Sequence, residues 1–377
     1  MKIPMLNLVK QYENLKSEID QAINEVLTSG EYILGSKVQE FERNIADYLG
    51  ARHAIGVASG SDALLLSLHA LGIGKGDKVA VPSFTFFATA GAVSRLGACP
   101  VFIDIEPDTY NLDLHQLEEK CQEDKGIKAV IPVHLFGLPV DMENLMAVAE
   151  RYGLYVVEDA CQAIDADIYL DKSQTVRKAG TIGHAGCFSF FPSKNLGGYG
   201  DGWLIVTDDD HLAEKIRMLR VHGARPKYYH SVVGYNSRLD TLQAAVLHVK
   251  LKYLPEWTAK RRKVASSYNE EIKKHGLDRW LKYPAILPGH VFHQYVIETE
   301  KRDELSQFLK EKGIATAVYY PLPLHLQKCF AELGYKEGDL KNSERAAKRV
   351  LALPIDPELT EEEISYIVKS IKEFFTV

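Results

Sequence analysis

The chain has 377 residues, 46% of them hydrophobic and 25% charged, and a formal net charge of −6. That length supplies a large domain and a smaller one, and the apolar fraction argues against a disordered protein. The acidic balance gives no basic field for wrapping nucleic acid, and no apolar run is long enough to span a bilayer.

The N-terminal stretch MKIPMLNLVKQYENLK has no long apolar core and no small-residue cleavage site, so a cytoplasmic protein is expected. Cys99, Cys121, Cys161, Cys187 and Cys329 are scattered and never spaced C-x-x-C, which predicts neither a disulfide framework nor a metal site. Leu15, Ile19, Ala22, Ile23 and Val26 fall at helical spacing and predict a first amphipathic helix, broken by the glycines of SGEYILG. A second helix is predicted over residues 36–49. HAIGVASGSDALLLSLHALG then reads as a short strand turning through Ser59-Gly60-Ser61-Asp62 into an apolar helix.

From there strands are predicted at 78–82, 99–104, 129–135, 154–159, 187–191 and 203–207, with helical patterns between most of them. Near-continuous Val and Ile runs of this kind predict an α/β fold, with a mostly parallel central sheet covered by helices on both faces, over residues 1–250. A long helical stretch is predicted from about Asp240 to Lys274. Beyond it a strand, a helix, a strand and a closing amphipathic helix predict a small C-terminal α+β domain over residues 251–377.

Lys194, in FSFFPSKNLGGYGDG, and Asp159, closing the hydrophobic strand LYVVED, together point to pyridoxal 5′-phosphate. That cofactor needs an amine to condense with its aldehyde and a carboxylate to keep its ring nitrogen protonated. Pro192 and glycines 197, 198, 200 and 202 turn the strand carrying Ser189 into a loop, from which a lysine can swing into a cleft. The Ser59 to Asp62 turn offers helix-start N–H groups and a hydroxyl to a phosphate, although Ser59 or Ser61 acting as a simple helix cap accounts for the same residues. Phe84, Phe86 and Phe87 follow the strand at 78–82, where one ring can stack on a flat cofactor or all three can be core. Gln162, three residues after Asp159, is expected on the same side of a helix and within reach of the cofactor's ring hydroxyl.

With these residues, the segments GSDAL, PSFTFFATA, IPVHLFG, VVEDACQA, SFFPSKNLGGYGDG, GYNSRLDTLQAA and YYPLPLH resemble the DegT/StrS family of nucleotide-sugar aminotransferases, which have the aspartate-aminotransferase fold (fold type I). The resemblance covers nearly the whole chain. It implies that Lys194 forms the Schiff base and moves the proton, that Asp159 pairs with the ring nitrogen and Gln162 with the ring hydroxyl, and that Phe86 stacks on the ring. It implies further that Gly60, Ser61, Asp62 and Ser189 hold the phosphate, joined by Asn236 from the neighbouring subunit of a homodimer. The implied reaction is a ping-pong transfer from L-glutamate, through pyridoxamine phosphate, to the ketone of a nucleotide-linked sugar for amino-sugar and polysaccharide biosynthesis.

Three positions depart from the family pattern: Trp203 stands where the family has glycine, Asp165 where it has glycine or histidine, and Cys161 where it has a small residue. For the substrate, RVHGARPKYYHSVVGYNSRLDTLQAA resembles relatives acting at C-3 of a 3-keto sugar. Arg220, Arg225 and Lys227 can neutralise a pyrophosphate, while Tyr228, Tyr229 and His230 can contact the sugar. Tyr32, His222, His293 and His325 are further candidates. Amination at C-4 and a non-catalytic regulator that kept the fold stay open, whereas sugar dehydratases of this fold carry histidine in place of the lysine.

Overall fold

The computed structural model describes residues 1–376. Helices α1 (Leu8–Ser29) and α2 (Ser36–Leu49) come first. Strands β1 (His53–Val57), β2 (Lys78–Pro82), β3 (Cys99–Ile103), β4 (Ile127–Val130) and β5 (Tyr155–Asp159) then alternate with α3 (Gly60–Ala70), α4 (Ala88–Arg95), α5 (Leu114–Glu123) and α6 (Met142–Tyr152). A hairpin of β6 (Asp167–Leu170) and β7 (Thr175–Lys178) leads to β8 (Ala185–Ser189), β9 (Trp203–Thr207) and α7 (Asp210–Leu219). Helices α8 (Thr241–Leu251) and α9 (Leu254–Lys274) lead on to β10 (Tyr295–Glu298), α10 (Arg302–Glu311), α11 (Lys341–Arg349), β11 (Val350–Leu353) and α12 (Glu361–Thr376).

Seven strands form one sheet in the order β1-β9-β8-β5-β4-β2-β3. The run from β3 to β8 is parallel, while β9 lies antiparallel to both β8 and β1. The predicted, mostly parallel sheet is therefore present. Its reversal has a simple cause: the connection from β8 to β9 is a loop, and a loop without a crossover helix can only return antiparallel. As a result the ends of β2, β5 and β8 and the start of β9 share one edge of the sheet, which is where ligands of parallel sheets sit. Both faces are covered. Buried Leu64, Leu68, Ile216 and Leu219 of α3 and α7 pack on one side, and Phe41, Ile45, Ala244 and Leu247 of α2 and α8 on the other.

Four local expectations change. The helix expected from Asp240 to Lys274 is two helices, because Pro255, with no N–H to donate, can occupy only the first turn of α9. The strand expected over 129–135 ends at Val130, just ahead of Pro132, although Ile131 N still donates to Ala80 O at 2.9 Å. The β6–β7 hairpin escaped prediction because β7 is a polar, largely exposed strand without apolar alternation. Finally, no helix follows Asp159: residues 160–166 form consecutive turns.

A separate buried cluster gathers Tyr268 and Ile272 of α9, Tyr295, Leu305, Leu353 and Ile367. Ile3 joins it from the other end of the chain, since Ile3 N donates to Gly313 O and Ala315 N to Ile3 O, each at 2.9 Å. No helix among the described residues is long and apolar enough to cross a membrane.

Candidate active site

At the shared edge of the sheet lies a cavity of about 470 Å³ whose wall includes Gly60, Ser61, Phe86, Asp159, Gln162 and Ser189, with Lys194 at its side. The Lys194 ammonium makes no hydrogen bond or ion pair among the described residues. Burial pushes its pKa below the usual lysine range, opposed by the nearby Cys161 and Asp159, so more of it is free amine at neutral pH than an exposed lysine would be. Asp159, 6% exposed, is held at the end of β5 by Thr89 Oγ1, which donates to Oδ2 at 3.0 Å, and by Cys161 N at 3.3 Å from Oδ1. Its neighbour Glu158 fixes the strand end, accepting from His134 Nε2 at 2.9 Å and from the N–H groups of Gly180, Ile182 and Gly183 at 2.6–2.8 Å. These donors, with His134 first, hold its carboxyl below the ordinary range in spite of complete burial.

Although no helix carries it, Gln162 reaches the cavity from the turn. Its Oε1 accepts from Phe136 N at 2.7 Å, which orients the amide so that Nε2 donates to the Tyr320 hydroxyl at 3.1 Å and keeps one N–H free. Phe86, half exposed, leans towards Tyr320 with ring centroids 6.1 Å apart. The cap ambiguity at the α3 start is resolved: Ser59 Oγ accepts from Asp62 N at 3.2 Å. Ser61 is thereby released, and the N–H groups of Gly60 and Ser61 have no acceptor among the described residues. Ser189 Oγ accepts from Phe191 N at 3.3 Å and keeps its own proton to donate.

The unsatisfied groups test whether pyridoxal phosphate fits. One end of the cavity presents free N–H and O–H donors at a helix start, as a phosphate requires. Its other features are an unpaired amine, a buried carboxylate with spare acceptor capacity, an amide N–H and an aromatic face. The residues fit the cofactor.

The sequence profile of the DegT/DnrJ/EryC1/StrS aminotransferase family matches residues 13–372. The chain belongs to that family. A Geobacillus stearothermophilus protein named pleiotropic regulatory protein is 53% identical to it, over 100% of this chain and 99% of that one. An Acidithiobacillus ferrooxidans protein, named as a UDP-N-acetyl-3-dehydro-alpha-D-glucosamine 3-aminotransferase, is 45% identical, over 98% of this chain and 97% of that one. Among solved structures, S. venezuelae DesV in complex with a ketimine intermediate superposes with a TM-score of 0.94 at 41% identity, covering 100% of this chain and 99% of that one. Bacillus subtilis NtdA, with bound cofactor PMP, gives 0.92 at 32% identity, covering 100% of this chain and 86% of that one. The fold is accordingly that of the fold type I aminotransferases.

Within this family member several residues stand apart from the expected roles. Asp62 has no group left for a phosphate: its N–H is taken by Ser59, and its carboxylate accepts from Ser237 Oγ at 3.0 Å. His325 is a structural residue, 1% exposed, bonded to Ser83 Oγ at 2.6 Å and Glu344 at 3.2 Å. Arg220 is likewise structural, nearly buried and bonded to Glu42 at 2.6 Å and Gly56 O at 2.7 Å. Tyr32, His222, Arg225, Lys227, Tyr228, Tyr229, His230 and Asn236 are exposed and are not in the wall of this cavity. Arg225 pairs with Glu214 at 3.1 Å. His293 does line the cavity; it is buried, with Nδ1 3.1 Å from Asn195 Oδ1, and burial holds it well below the usual histidine range. Two departures are absorbed locally. Asp165 has φ 71°, where a short polar residue can replace glycine, and accepts from Tyr48 at 2.6 Å and Lys178 at 2.8 Å. Cys161 Sγ donates to Cys187 O at 3.4 Å and is kept as a thiol by burial. The sequence does not reveal Gln294 as part of the cavity wall or Thr89 as the buried partner of Asp159, and it offers Trp203 only as a departure and Tyr319 and Tyr320 only as part of a motif.

Proposed function

We propose that this protein, a nucleotide-sugar aminotransferase by its family and relatives, holds pyridoxal 5′-phosphate on Lys194 and moves an amino group from L-glutamate to C-3 of a nucleotide-linked deoxy- or amino-sugar ketone. The Lys194 amine, unpaired among the described residues and held below the usual lysine range by burial, lines one cavity with Asp159 and carries this reading. When bound, the cofactor supplies an electron-withdrawing ring that eases removal of a proton from the carbon bearing the amine. Asp159 holds the charge of the ring nitrogen, steadied by Thr89. Gln162 offers its free N–H to the ring hydroxyl, and Phe86 covers one ring face. Gly60, Ser61 and Ser189 bind the phosphate. Lys194 would hold the cofactor through its amine and, when free of it, would carry the proton to and from the reacting carbon.

Tyr32, Arg225, Lys227, Tyr229 and Asn236 are exposed and absent from the cavity wall, as expected of a homodimer in which each protomer completes its partner's site. Residues 1–250 and 251–377 would act as the large and small domains, with Ile3 contributing to the small one. A cytoplasmic place in amino-sugar and polysaccharide biosynthesis follows from such substrates. The C-3 assignment rests on the activity for which the Acidithiobacillus relative is named. Incubation with L-glutamate and paired 3-keto and 4-keto sugar nucleotides tests it: faster amination of the 4-keto isomer overturns the position. The regulator name of the Geobacillus relative favours a second reading, a cofactor-binding protein without turnover. In that case glutamate would leave the visible absorbance of the loaded protein unchanged.

A further inference from the structure

Trp203 opens β9 and is held by ladders on both edges, opposite Val57 of β1 and Ser189 of β8. Its side chain is 9% exposed and forms part of the cavity wall beside Lys194. A Cβ added to Gly60 would stand 1.9 Å from indole Cη2 and Cζ2 and 2.3 Å from Cε2. The six-membered ring of the indole therefore lies directly on the first residue of α3, with Cε2, the atom bonded to Nε1, third nearest to it.

The indole N–H has no acceptor among the described residues, yet it is not one of the polar atoms sealed away without a partner. It therefore retains some open surface, on a residue that forms part of the cavity wall. An indole nitrogen can only donate, so only a ligand with acceptor atoms can satisfy it. The acidic side chain nearest in sequence to the α3 start, Asp62, is already engaged by Ser237. Gly60 and Ser61, with their free N–H groups, and Ser189, with its hydroxyl, line the same cavity as Trp203.

We propose that Trp203 is a phosphate-binding residue of this chain: its indole N–H donates to the phosphate monoester held at the start of α3, and its ring closes that end of the cavity over Gly60. This rests on the reading of the cavity as a pyridoxal phosphate site. A donor to a dianion in an enclosed site is worth about a tenfold change in affinity.

The test uses the cofactor-free enzyme and three probes: pyridoxal phosphate, pyridoxal lacking the phosphate, and inorganic phosphate followed by thermal shift. Trp203→Phe keeps the ring and removes the N–H. It is expected to bind pyridoxal phosphate about tenfold more weakly, to bind pyridoxal as the parent does, and to gain less thermal stability from inorganic phosphate. Equal affinity of Trp203→Phe and parent for pyridoxal phosphate, within twofold, overturns the donor. Trp203→Gly is expected to bind more weakly still, and tighter binding by it would show that the indole obstructs the site and overturn the proposal. If the parent binds no pyridoxal phosphate, the functional reading fails. The inorganic phosphate shift then decides the Trp203 role by itself: a rise for the parent that is smaller in Trp203→Phe supports it, and an equal or absent rise refutes it.

Discussion

Replacing Thr89 by Val is the sharpest probe of how the protein prepares Asp159. The side chain of Thr89 is fully buried on α4, so valine fills nearly the same space and removes one hydroxyl. That hydroxyl is one of only two hydrogen bonds the Asp159 carboxylate receives from the described residues, and the shorter of them, at 3.0 Å against 3.3 Å from Cys161 N. A carboxylate that is 6% exposed cannot recruit much water in compensation. Loss of a hydrogen bond to a buried charged group costs about 1–3 kcal/mol. With an unfolding entropy scaled per residue, this corresponds to a fall in Tm of about 1–4 °C for the cofactor-free protein. The loaded protein should lose less, because the protonated ring nitrogen takes up acceptor capacity that Thr89 vacated. Calorimetry of both forms of Thr89→Val and parent measures the two differences. A variant whose cofactor-free Tm matches the parent, or whose loaded form suffers the larger loss, refutes this account of Asp159.

Lys194→Ala should abolish the visible absorbance of the lysine-bound cofactor and lower turnover at least about a thousandfold, while mixing it with Asn236→Ala should restore some activity if each site is built from two subunits. Asp159→Asn removes an anion that favours the Lys194 ammonium, so the pH midpoint for capture of pyridoxal phosphate by the cofactor-free enzyme should move down; an upward move contradicts the assignment. Lys250, 1% exposed on α8, donates to Gly197 O at 2.7 Å, and burial lowers its pKa to about 8. The unfolded chain therefore binds the extra proton between about pH 8 and the ordinary lysine range near 10.4, and stability should rise with pH across that window. Urea titrations should show the parent gaining on Lys250→Met as pH rises from 8 to 10, and a widening gap in the opposite sense would show the sign to be wrong.

Much of this protein is legible in its sequence, for local reasons. Val-rich runs between amphipathic segments dictate parallel strands under helices, because only that arrangement buries both faces of each strand. A lysine after Pro192 in a glycine-rich loop, and an aspartate closing an apolar strand, already mark the cofactor chemistry. Other features depend on partners distant in the chain. Gln162 acquires its orientation from Phe136 N and Tyr320, and His325 loses its candidacy to Ser83 and Glu344, 242 and 19 residues away. The choice between cap and ligand at the α3 start turned on which of two serines faces Asp62 N, which periodicity does not distinguish. Trp203 reads as a departure from a family pattern until β9, running antiparallel between β1 and β8, sets its indole on Gly60. Strand and helix propensities are carried by neighbours in the chain, whereas the pairing of buried polar groups is decided by whatever the completed sheet brings within 3 Å. The fold and the principal candidate cofactor residues thus belong to the sequence, and the division of the remaining polar groups between scaffold and candidate site belongs to the tertiary structure.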